Sequence, residues 1–473
     1  MVMGFGKPAA LPAPSGTRRV YDAIVLGPDV GGAAAAALLA RRGLRVLMAP
    51  LGLAASARES DGWLLPAAHP MIPPLRQLSG ATGALDELGL GQDLQRQAAP
   101  TAGAFQLLGE KLRLSLPNEP TRRRSELKRE LPDDEAAQTE SGLDTLERLG
   151  RPWDPFLVTA PPLPARGFFE RRRLRKMIPT PPELPQGLIG EALSAVAPFA
   201  ASLVGDSAPE ATARLASALL RAPLRLWGGA AQFAELLRKR AQEAGADLLT
   251  DSGARGLVLE RKGVMLQLGG AEIRGSSLIL ACDEAALSAL CEGGGRSERK
   301  LAEEARIPVA RKVVLCHFVV RAEGLPLALE EAALLLGQPG GPLVISALPA
   351  RKAKGETDDK LLTVARVVPA AGVDGPALLA EVRAALEPVL PFFDRHILLQ
   401  QADLTPPLAH PIFQPSEDGE PLGLRPLSDA HDRALFANVA VYPGFGLEGQ
   451  LLAARACADQ AMVLSGRKQV AAV

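Results

Sequence analysis

Closely spaced glycines in the N-terminal part of the chain have the spacing of a phosphate-binding turn. The segment YDAIVLGPDVGGAAAAALLARRGLRVLMAP, residues 21–50, contains a short apolar run at 23–26 that predicts a buried strand. Alanine and leucine then predict a helix over 32–41, Gly43 suits its end, and 45–48 predict a second strand. In such a strand–helix–strand unit, the free N–H groups at the start of the helix can bind a dinucleotide pyrophosphate.

The candidate cofactor-contacting residues of this turn are Gly27, Pro28, Asp29, Gly31 and Gly32. Gly27, Asp29 and Gly32 occupy the three fixed positions of the dinucleotide pattern G-x-G-x-x-G, so aspartate replaces the second glycine. That glycine lets the backbone approach the pyrophosphate, and a carboxylate there adds bulk and a charge of the same sign as the ligand. The sequence therefore predicts a degenerate dinucleotide site.

A second interpretation of the same turn needs no ligand. The glycines could serve only for close packing of the helix against the strand. Asp29 could then cap the helix, where a negative charge is stabilising. Pro50 follows the second strand, where an acidic residue would hold ribose hydroxyls, and its side chain can accept nothing. The residues alone leave both interpretations open.

The composition argues against several other classes of function. The chain has 473 residues with 53 Lys plus Arg and 53 Asp plus Glu, so its net charge is zero and nucleic acid is not an expected partner. The longest apolar stretch, 30–40, is about half of the length that a membrane-spanning helix needs. Residues 1–19 lack the apolar core of a secretion signal, and we predict a mobile tail on a cytoplasmic protein.

Cysteine and histidine spacing predicts no metal site. We interpret the four cysteines as small buried residues, because they lie far apart without a C-x-x-C pair: Cys282, Cys291, Cys316 and Cys457. The five histidines show no H-x-x-x-H spacing. We therefore expect no metal and name no catalytic residue, so any chemistry would depend on a bound cofactor.

Two segments between residues 107 and 225 differ from the rest of the chain. Residues 119–147 are densely charged with few apolar side chains, which predicts a solvent-exposed insertion or a mobile loop that could serve as a linker. The segment that starts at Arg166 and ends at Pro179, RGFFERRRLRKMIP, combines Phe168 and Phe169 with six basic residues. It could contact an anionic membrane surface, or form a solvated helix whose few apolar residues dock on a second domain.

The remaining pattern predicts further helices and strands. An apolar face over 233–244 predicts a helix that ends at Gly245, and 257–259 with 264–268 predict a β-hairpin. Small-residue helices are predicted over 191–204 and 211–220. Strands are predicted at 313–320, 343–346 and 361–368, and Pro376 suits the first turn of a helix that reaches 386. These patterns alone indicate an α/β protein.

Four blocks resemble the two-domain flavoprotein family that includes phytoene desaturases, carotenoid isomerases and, more distantly, amine oxidases. Residues 21–50 resemble the family's N-terminal FAD-binding unit, and DGWLLPAAHP, 61–70, resembles the segment that leads into its Gly-Pro-His. Residues 226–282, which begin LWGGAAQF, resemble the middle block, where a glycine pair opens a helix. Residues 434–462, ALFANVAVYPGFGLEGQLLAARACADQAM, resemble the block that closes over the flavin.

The resemblance adds three glycines of PGFGLEG to the candidate cofactor contacts: Gly444, Gly446 and Gly449. It also identifies further departures at the cofactor. Residues 51–60 lack the family's Gly-Gly-Arg run, and Asn438 and Val439 replace a glycine followed by Asp, Glu or Ala. Glu448, the carboxylate within the glycine run, is expected in a solvated or capping role.

The resemblance implies an α/β fold with a Rossmann-type FAD/NAD(P)-binding domain and an interleaved α+β substrate domain. We assign 20–106, 226–300 and 426–473 to the Rossmann-type domain, and 107–225 and 301–425 to the substrate domain.

Two functions are consistent with the resemblance. The accumulated departures favour a non-catalytic relative with weakened or lost FAD binding. It would bind an apolar isoprenoid- or lipid-like molecule between its domains, or a protein partner, much as the Rab GDP-dissociation inhibitors use a similar fold as a binding surface. The alternative is an active FAD-dependent desaturase, isomerase or amine oxidase-like enzyme. Fold alone does not choose between them.

Overall fold

The protein is described from a computed structural model. It covers residues 19–49, 51, 55–101, 105–149, 151–161, 163–165, 167–177, 183–203, 209–249, 253–268, 271–404, 410–413 and 423–466. The predicted N-terminal tail up to residue 18, Pro50, and both ends of the segment 166–179 lie outside the described residues.

The strands, in chain order, are β1 (Arg19–Leu26), β2 (Val46–Ala49), β3 (Ala57–Ser60), β4 (Trp63–Pro66), β5 (Met71–Ile72), β6 (Ala99–Pro100), β7 (Phe105–Leu108), β8 (Arg113–Leu116), β9 (Leu224–Arg225), β10 (Asp247–Leu248), β11 (Ala254–Glu260), β12 (Gly263–Leu268), β13 (Ala271–Leu280), β14 (Val309–Val320), β15 (Ala332–Leu335), β16 (Leu343–Lys352), β17 (Gly355–Pro369), β18 (Ile397–Asp403), β19 (His410–Phe413) and β20 (Ala434–Phe436).

The α-helices are α1 (Val30–Arg41), α2 (Ser79–Leu88), α3 (Gly91–Gln97), α4 (Pro120–Glu130), α5 (Asp133–Leu149), α6 (Asp154–Thr159), α7 (Gly167–Met177), α8 (Gly187–Ala201), α9 (Pro209–Arg221), α10 (Gly229–Glu243), α11 (Glu284–Cys291), α12 (Arg296–Glu304), α13 (Gly375–Leu386) and α14 (Gly446–Leu464).

The first sheet carries the glycine-rich turn. Its strand order is β10-β2-β1-β13-β12-β11, and β20 also pairs with β13. Strands β10, β2, β1, β13 and β20 run parallel, while β11, β12 and β13 form an antiparallel meander. Leu26 lies opposite both Ala49 and Leu280, so three strands end together where the turn begins. This arrangement confirms the predicted α/β class and its Rossmann-type unit.

Helix α1 is buried on all sides in the middle of this domain. Every residue from Val30 to Ala40 is buried, and α10 and α14 both pack against the helix. Its run of alanines allows this close approach, because a methyl group adds little width to the helix. Gly43 follows the helix with φ of +80°, in the left-handed conformation that was predicted for the helix end.

The second sheet forms the substrate-type domain. Its order is β18-β14-β17-β16-β15-β7-β8, with β19 added on β14 and the β3–β4 hairpin added on β16. The predicted strands at 313–320, 343–346 and 361–368 are the central β14, β16 and β17, which pair antiparallel. The β3–β4 hairpin, from the first part of the chain, joins this sheet by pairing with Arg351 and Lys352.

Residues 119–147 form two helices, α4 and α5, where a loop was one of the two expectations, and most of their charged side chains are exposed, as the other expectation had it. Glu119 caps α4 by accepting hydrogen bonds from the N–H groups of Thr121 and Arg122, at 2.9 and 2.7 Å. The few apolar side chains recur at helical spacing and are buried: Leu127, Ala136, Leu143 and Leu146. Helix α5 packs on α8 and α9 through this stripe. A narrow apolar stripe is therefore enough to pack these helices on the protein, although their average composition is that of a loop.

Candidate functional site

The glycines of the turn are required by packing against the end of β13 and the residue after β20. Gly27 has φ of +120°, and a Cβ there would lie 2.0 Å from the carbonyl oxygen of Ala281. A Cβ on Gly32 would lie 2.5 Å from the Ala281 side chain, and one on Gly31 would lie 1.8 Å from the carbonyl oxygen of Ala437. All three positions are therefore closed to larger residues by the protein itself.

Protein groups already contact the turn that the sequence assigns to a ligand. The N–H of Gly31, in the first turn of α1, donates to Oε1 of Gln450 at 3.3 Å. Gln450 belongs to α14 and is 5% exposed. On the other side, Nη1 of Arg238 donates to the carbonyl oxygen of Pro28 at 3.3 Å. The start of α1 thus has a neutral acceptor and a buried cation as neighbours.

Asp29 lies at the N-cap position of α1 without capping the helix. Its side chain makes no capping hydrogen bond, although the residue has the extended backbone conformation of an N-cap. Burial of the carboxylate, together with the nearby charge of Asp283, raises the pKa of Asp29 to about 7. The prediction that Asp29 stabilises the helix as a cap is therefore corrected, because its charged form is disfavoured where it stands.

The glycines of the C-terminal run also have packing roles. Gly444 and Gly446 have φ of +90° and +46°. A Cβ on Gly446 would lie 2.2 Å from the carbonyl oxygen of Ala200, and one on Gly449 would lie 2.8 Å from that of Tyr442. The run turns the chain sharply into α14 and seats the start of that helix against α8.

Glu448 is buried in an ionic network, not solvated as the sequence suggested. It is 0% exposed and pairs with the guanidinium of Arg214 on α9, which is 3% exposed. Its Oε1 also accepts a hydrogen bond of 2.8 Å from the N–H of Gly80 in the first turn of α2. Burial raises the pKa of Glu448, and Arg214 and the Gly80 N–H oppose that shift. Glu448 does act as a cap, which was the other predicted role, but it caps the start of α2 and not of its own helix.

The network extends to the surface through Asp154. Nη2 of Arg214 lies 3.5 Å from Oδ1 of Asp154, and the same oxygen accepts a hydrogen bond of 2.8 Å from the hydroxyl of Ser79. No local pattern pairs Arg214 with Glu448, which follows it 234 residues later. A lone arginine in a predicted small-residue helix was the available signal.

A second buried polar cluster lies where the β3–β4 hairpin meets the second sheet. Nε2 of His317 lies 3.2 Å from Oδ2 of Asp403, which also pairs with Arg58, and Nδ1 lies 3.3 Å from the hydroxyl of Thr363. Burial lowers the pKa of His317, although Asp403 opposes the shift. Sequence reasoning missed this cluster, because its members come from distant strands.

His69 is a second buried histidine, and it lies in the segment that resembles the family's approach to its Gly-Pro-His. Its Nδ1 accepts a hydrogen bond of 3.3 Å from the N–H of Met71, and its ring meets Phe199 edge to face. Nε2 is buried and makes no hydrogen bond within the described part of the chain. Burial lowers the pKa of His69 to about 3, so the ring is neutral at neutral pH.

Asn438 and the four cysteines, which the sequence analysis also singled out, have structural roles. Asn438 donates from Nδ2 to the carbonyl oxygen of Cys282 at 3.3 Å, and its Oδ1 accepts from the N–H of Ala440 at 3.1 Å. The four cysteines are buried and unbridged, as predicted. Among the described residues, no three or more His, Cys, Asp or Glu side chains come together as a metal site would require.

Comparison with known proteins places this fold. No family model matches the chain, and no curated protein matches it. Putrescine oxidase bound to putrescine is similar at 14% identity and a TM-score of 0.57, over 94% of this chain and 99% of that one. An oxidoreductase from Methanosarcina mazei is 12% identical with a TM-score of 0.59, over 92% and 99%. Cyclohexylamine oxidase from Brevibacterium oxydans is 16% identical with a TM-score of 0.51, over 94% and 99%.

These similarities extend over nearly the whole of each chain. The protein therefore shares the fold of these oxidases and of this oxidoreductase, and that agrees with the fold class that the resemblance implied. Within the described part of the chain, no helix is both long and apolar enough to cross a membrane.

Proposed function

We propose that this chain keeps the flavoprotein fold but does not bind FAD tightly, and that it acts by binding a partner. The observation that carries the proposal is the uncapped carboxylate of Asp29 at the start of α1, close to Asp283. A flavin pyrophosphate brings two further negative charges to the same helix end. A site built for that ligand presents hydrogen-bond donors there.

The pattern of retained and lost glycines supports the proposal. Gly27 and Gly32 are the positions that the dinucleotide motif uses for the tight turn and for helix–strand packing, and packing alone excludes a Cβ at both. The position that the motif reserves for close approach to the pyrophosphate is Asp29. A chain that needs the fold but not the ligand is expected to keep the first and third glycines of the motif and to lose the second.

Contacts within the protein also compete with a ligand. The Gly31 N–H donates to Gln450, and the Gly80 N–H donates to Glu448, so two helix starts already have acceptors. A cofactor that used either donor would first have to displace a buried side chain. The sequence departs from the family pattern at four places: Asp29, Pro50, residues 51–60, and Asn438 with Val439. At about 1 kcal/mol each, these departures correspond to roughly a thousandfold loss of FAD affinity.

A surface groove offers one site for a small-molecule ligand, although the sequence placed that ligand between the two domains. It has a volume of about 440 Å³ and lies on the second domain, with Leu112, Leu188 and Leu336 in its lining and Glu110 and Glu191 among its polar groups. That volume lies within the range of ligand sites. A protein partner remains the other candidate, because several apolar side chains of this chain face water.

FAD titration of three proteins tests the proposal. The parent is compared with Asp29→Gly, which restores the motif, and with Asp29→Asn, which removes only the charge. The parent is expected to gain little thermal stability from FAD and to quench little flavin fluorescence, whereas Asp29→Gly tightens FAD at least tenfold. Adding Pro50→Glu should tighten it further, because a carboxylate can hold the ribose hydroxyls.

The outcomes of this titration are distinct. Equal gains for Asp29→Asn and Asp29→Gly would identify charge, not bulk, as the obstruction. If neither variant nor the double variant binds FAD better than the parent, the obstruction lies elsewhere, at residues 51–60 or at Asn438 and Val439. Stoichiometric FAD in the parent would contradict the proposal.

The alternative function is an active FAD-dependent oxidoreductase. The buried guanidinium of Arg238 beside the Pro28 carbonyl favours it, since a cation at this turn would attract a pyrophosphate. Oxidation of an amine such as putrescine or cyclohexylamine by the FAD-loaded parent, with loss in Arg238→Met, would support this alternative over the first.

A further inference from the structure

Among the described residues, the contacts of helix α7 with the rest of the protein lie on one face. Leu174 and Met177 are half-buried and pack against the hydrophobic cluster around Tyr442. Glu170 pairs with Arg425 at 3.3 Å. The apolar residues of this segment therefore dock on the protein, as one interpretation of the sequence predicted. They dock on the cluster that contains Tyr442, whereas the prediction named the second domain.

The opposite face of α7 carries two exposed aromatic rings. Phe168 is 70% exposed and Phe169 is 84% exposed. Their ring centroids are 5.7 Å apart in an edge-to-face arrangement, so each ring covers little of the other. Arg172 and Lys176 follow at helical spacing and are also exposed. Water therefore meets an aromatic pair whose sequence neighbours along the helix are basic.

The charge on this face is not balanced within the helix. Arg171 and Arg173 are exposed and flank it, and Glu170 is the only acidic residue of α7 in sequence. Helix α4 provides the contrast. There Arg129 pairs with Glu126 at 2.8 Å, and Arg124 pairs with Glu140. The net charge of the whole chain is zero, so α7 is a local positive patch.

We infer that α7 is an interfacial helix that holds this protein on an anionic lipid surface. The rings of Phe168 and Phe169 enter the headgroup region, and the neighbouring Arg and Lys side chains contact the phosphates. Two rings that project from a convex helix suit insertion between headgroups better than a shaped protein pocket. Because the docked face is anchored by Leu174 and Met177, the aromatic face is held outward before binding. This inference does not depend on whether FAD is bound.

Sedimentation with vesicles tests the inference. The full chain is mixed with vesicles of phosphatidylcholine alone or of phosphatidylcholine with phosphatidylserine, at low and at high salt. We expect binding to the anionic vesicles only, weakened by salt. Replacing Arg171, Arg172 and Arg173 together with Ser should weaken binding by roughly a hundredfold, on the order of fivefold per charge. Phe168→Ser with Phe169→Ser should weaken it at least tenfold.

Helix α4 supplies a matched control. It contains three consecutive arginines that can be replaced by Ser at the same charge cost: Arg122, Arg123 and Arg124. This control should bind vesicles like the parent, and circular dichroism confirms that each variant is folded. Three results would each overturn the inference: no sedimentation of the parent at low salt, equal binding to neutral vesicles, or equal weakening in the α4 control. The first, combined with binding to an acidic polypeptide, would identify a protein surface as the partner.

Discussion

Two carboxylates lie near the starts of two helices, and their surroundings differ. Glu448 meets the start of α2 with an arginine and a backbone N–H as partners. Asp29 stands at the start of α1 with no capping hydrogen bond and with Asp283 nearby. Burial raises the pKa of both carboxyls. The comparison teaches that a negative charge at a helix start stabilises only when donors or a cation compensate its lost hydration.

The largest expected effect comes from breaking the compensated carboxylate. Glu448→Gln leaves Arg214, 3% exposed, without its main counter-charge, so the free energy of unfolding should fall by about 3 kcal/mol or more. Urea denaturation measures the loss. Glu243→Gln, which breaks the surface pairs of Glu243 with Lys239 and Arg240, is the control and should cost less than 1 kcal/mol.

Replacing both partners sharpens this result. Arg214→Met with Glu448→Leu leaves no buried charge unpaired, and the remaining Asp154 is half-exposed, so the double variant should be more stable than Glu448→Gln alone. If Glu448→Gln costs no more than the surface control, the pair does not compensate the charge as described.

His69 is a buried imidazole without a carboxylate partner among the described residues, so it can be compared with the two buried carboxylates. The pKa of His69 is about 3 in the folded protein, below its unfolded value of 6.5, so the unfolded state binds more protons between these values. Stability should therefore fall as the pH drops below 6.5, by about 2 kcal/mol at pH 5 from this residue.

The difference between parent and His69→Asn isolates that contribution. Urea denaturation should show the parent losing about 2 kcal/mol more than His69→Asn between pH 7 and pH 5. From pH 7 to pH 8 the two should run parallel. Equal losses between pH 7 and pH 5 would show that His69 is hydrated or paired when protonated.

Replacement of Asp29 should change the free energy of unfolding less than replacement of Glu448 or His69. Its pH dependence is opposite to that of His69. Its folded pKa of about 7 lies above the unfolded 3.8, so its favourable protonation is lost as the pH rises through 7. Asp29→Asn should therefore raise stability at pH 8 by about 1 to 2 kcal/mol, after allowance for partial exposure, and change little at pH 4. Melting temperature at the two pH values measures this.

A capping aspartate provides the matched control for Asp29. Asp374 caps α13 by accepting a hydrogen bond of 3.0 Å from the N–H of Ala377. Asp374→Asn removes the same charge from a helix start that does have a donor, and it should not stabilise the protein at pH 8. A gain in both variants would indicate a general charge effect instead of the local one described for Asp29.

Local patterns predicted the parts of the fold that local chemistry determines. The strand–helix–strand unit with Gly43, the helix that ends at Gly245, and the β11–β12 hairpin were all predicted from residues close in sequence. The packing partners of Gly27 and Gly31, at Ala281 and Ala437, were not, because they come from strands far along the chain. The pairs of Arg214 with Glu448 and of His317 with Asp403 were missed for the same reason.

The helices at residues 119–147 were not predicted for a different reason. Average composition indicates whether a segment is exposed, whereas burial depends on where its few apolar residues fall. Leu127 lies among charged residues and is nevertheless 1% exposed, because it occupies the face of α4 that meets the protein. Helical periodicity, read position by position, would have detected this stripe.

The absorption spectrum of the purified full chain tests the central claim most directly. The uncompensated carboxylate of Asp29 at the start of α1 leads us to expect a colourless protein with no flavin bands and no FAD released on denaturation. A yellow preparation that releases one FAD per chain would contradict the account, since it would show that the start of α1 accepts a pyrophosphate with Asp29 in place.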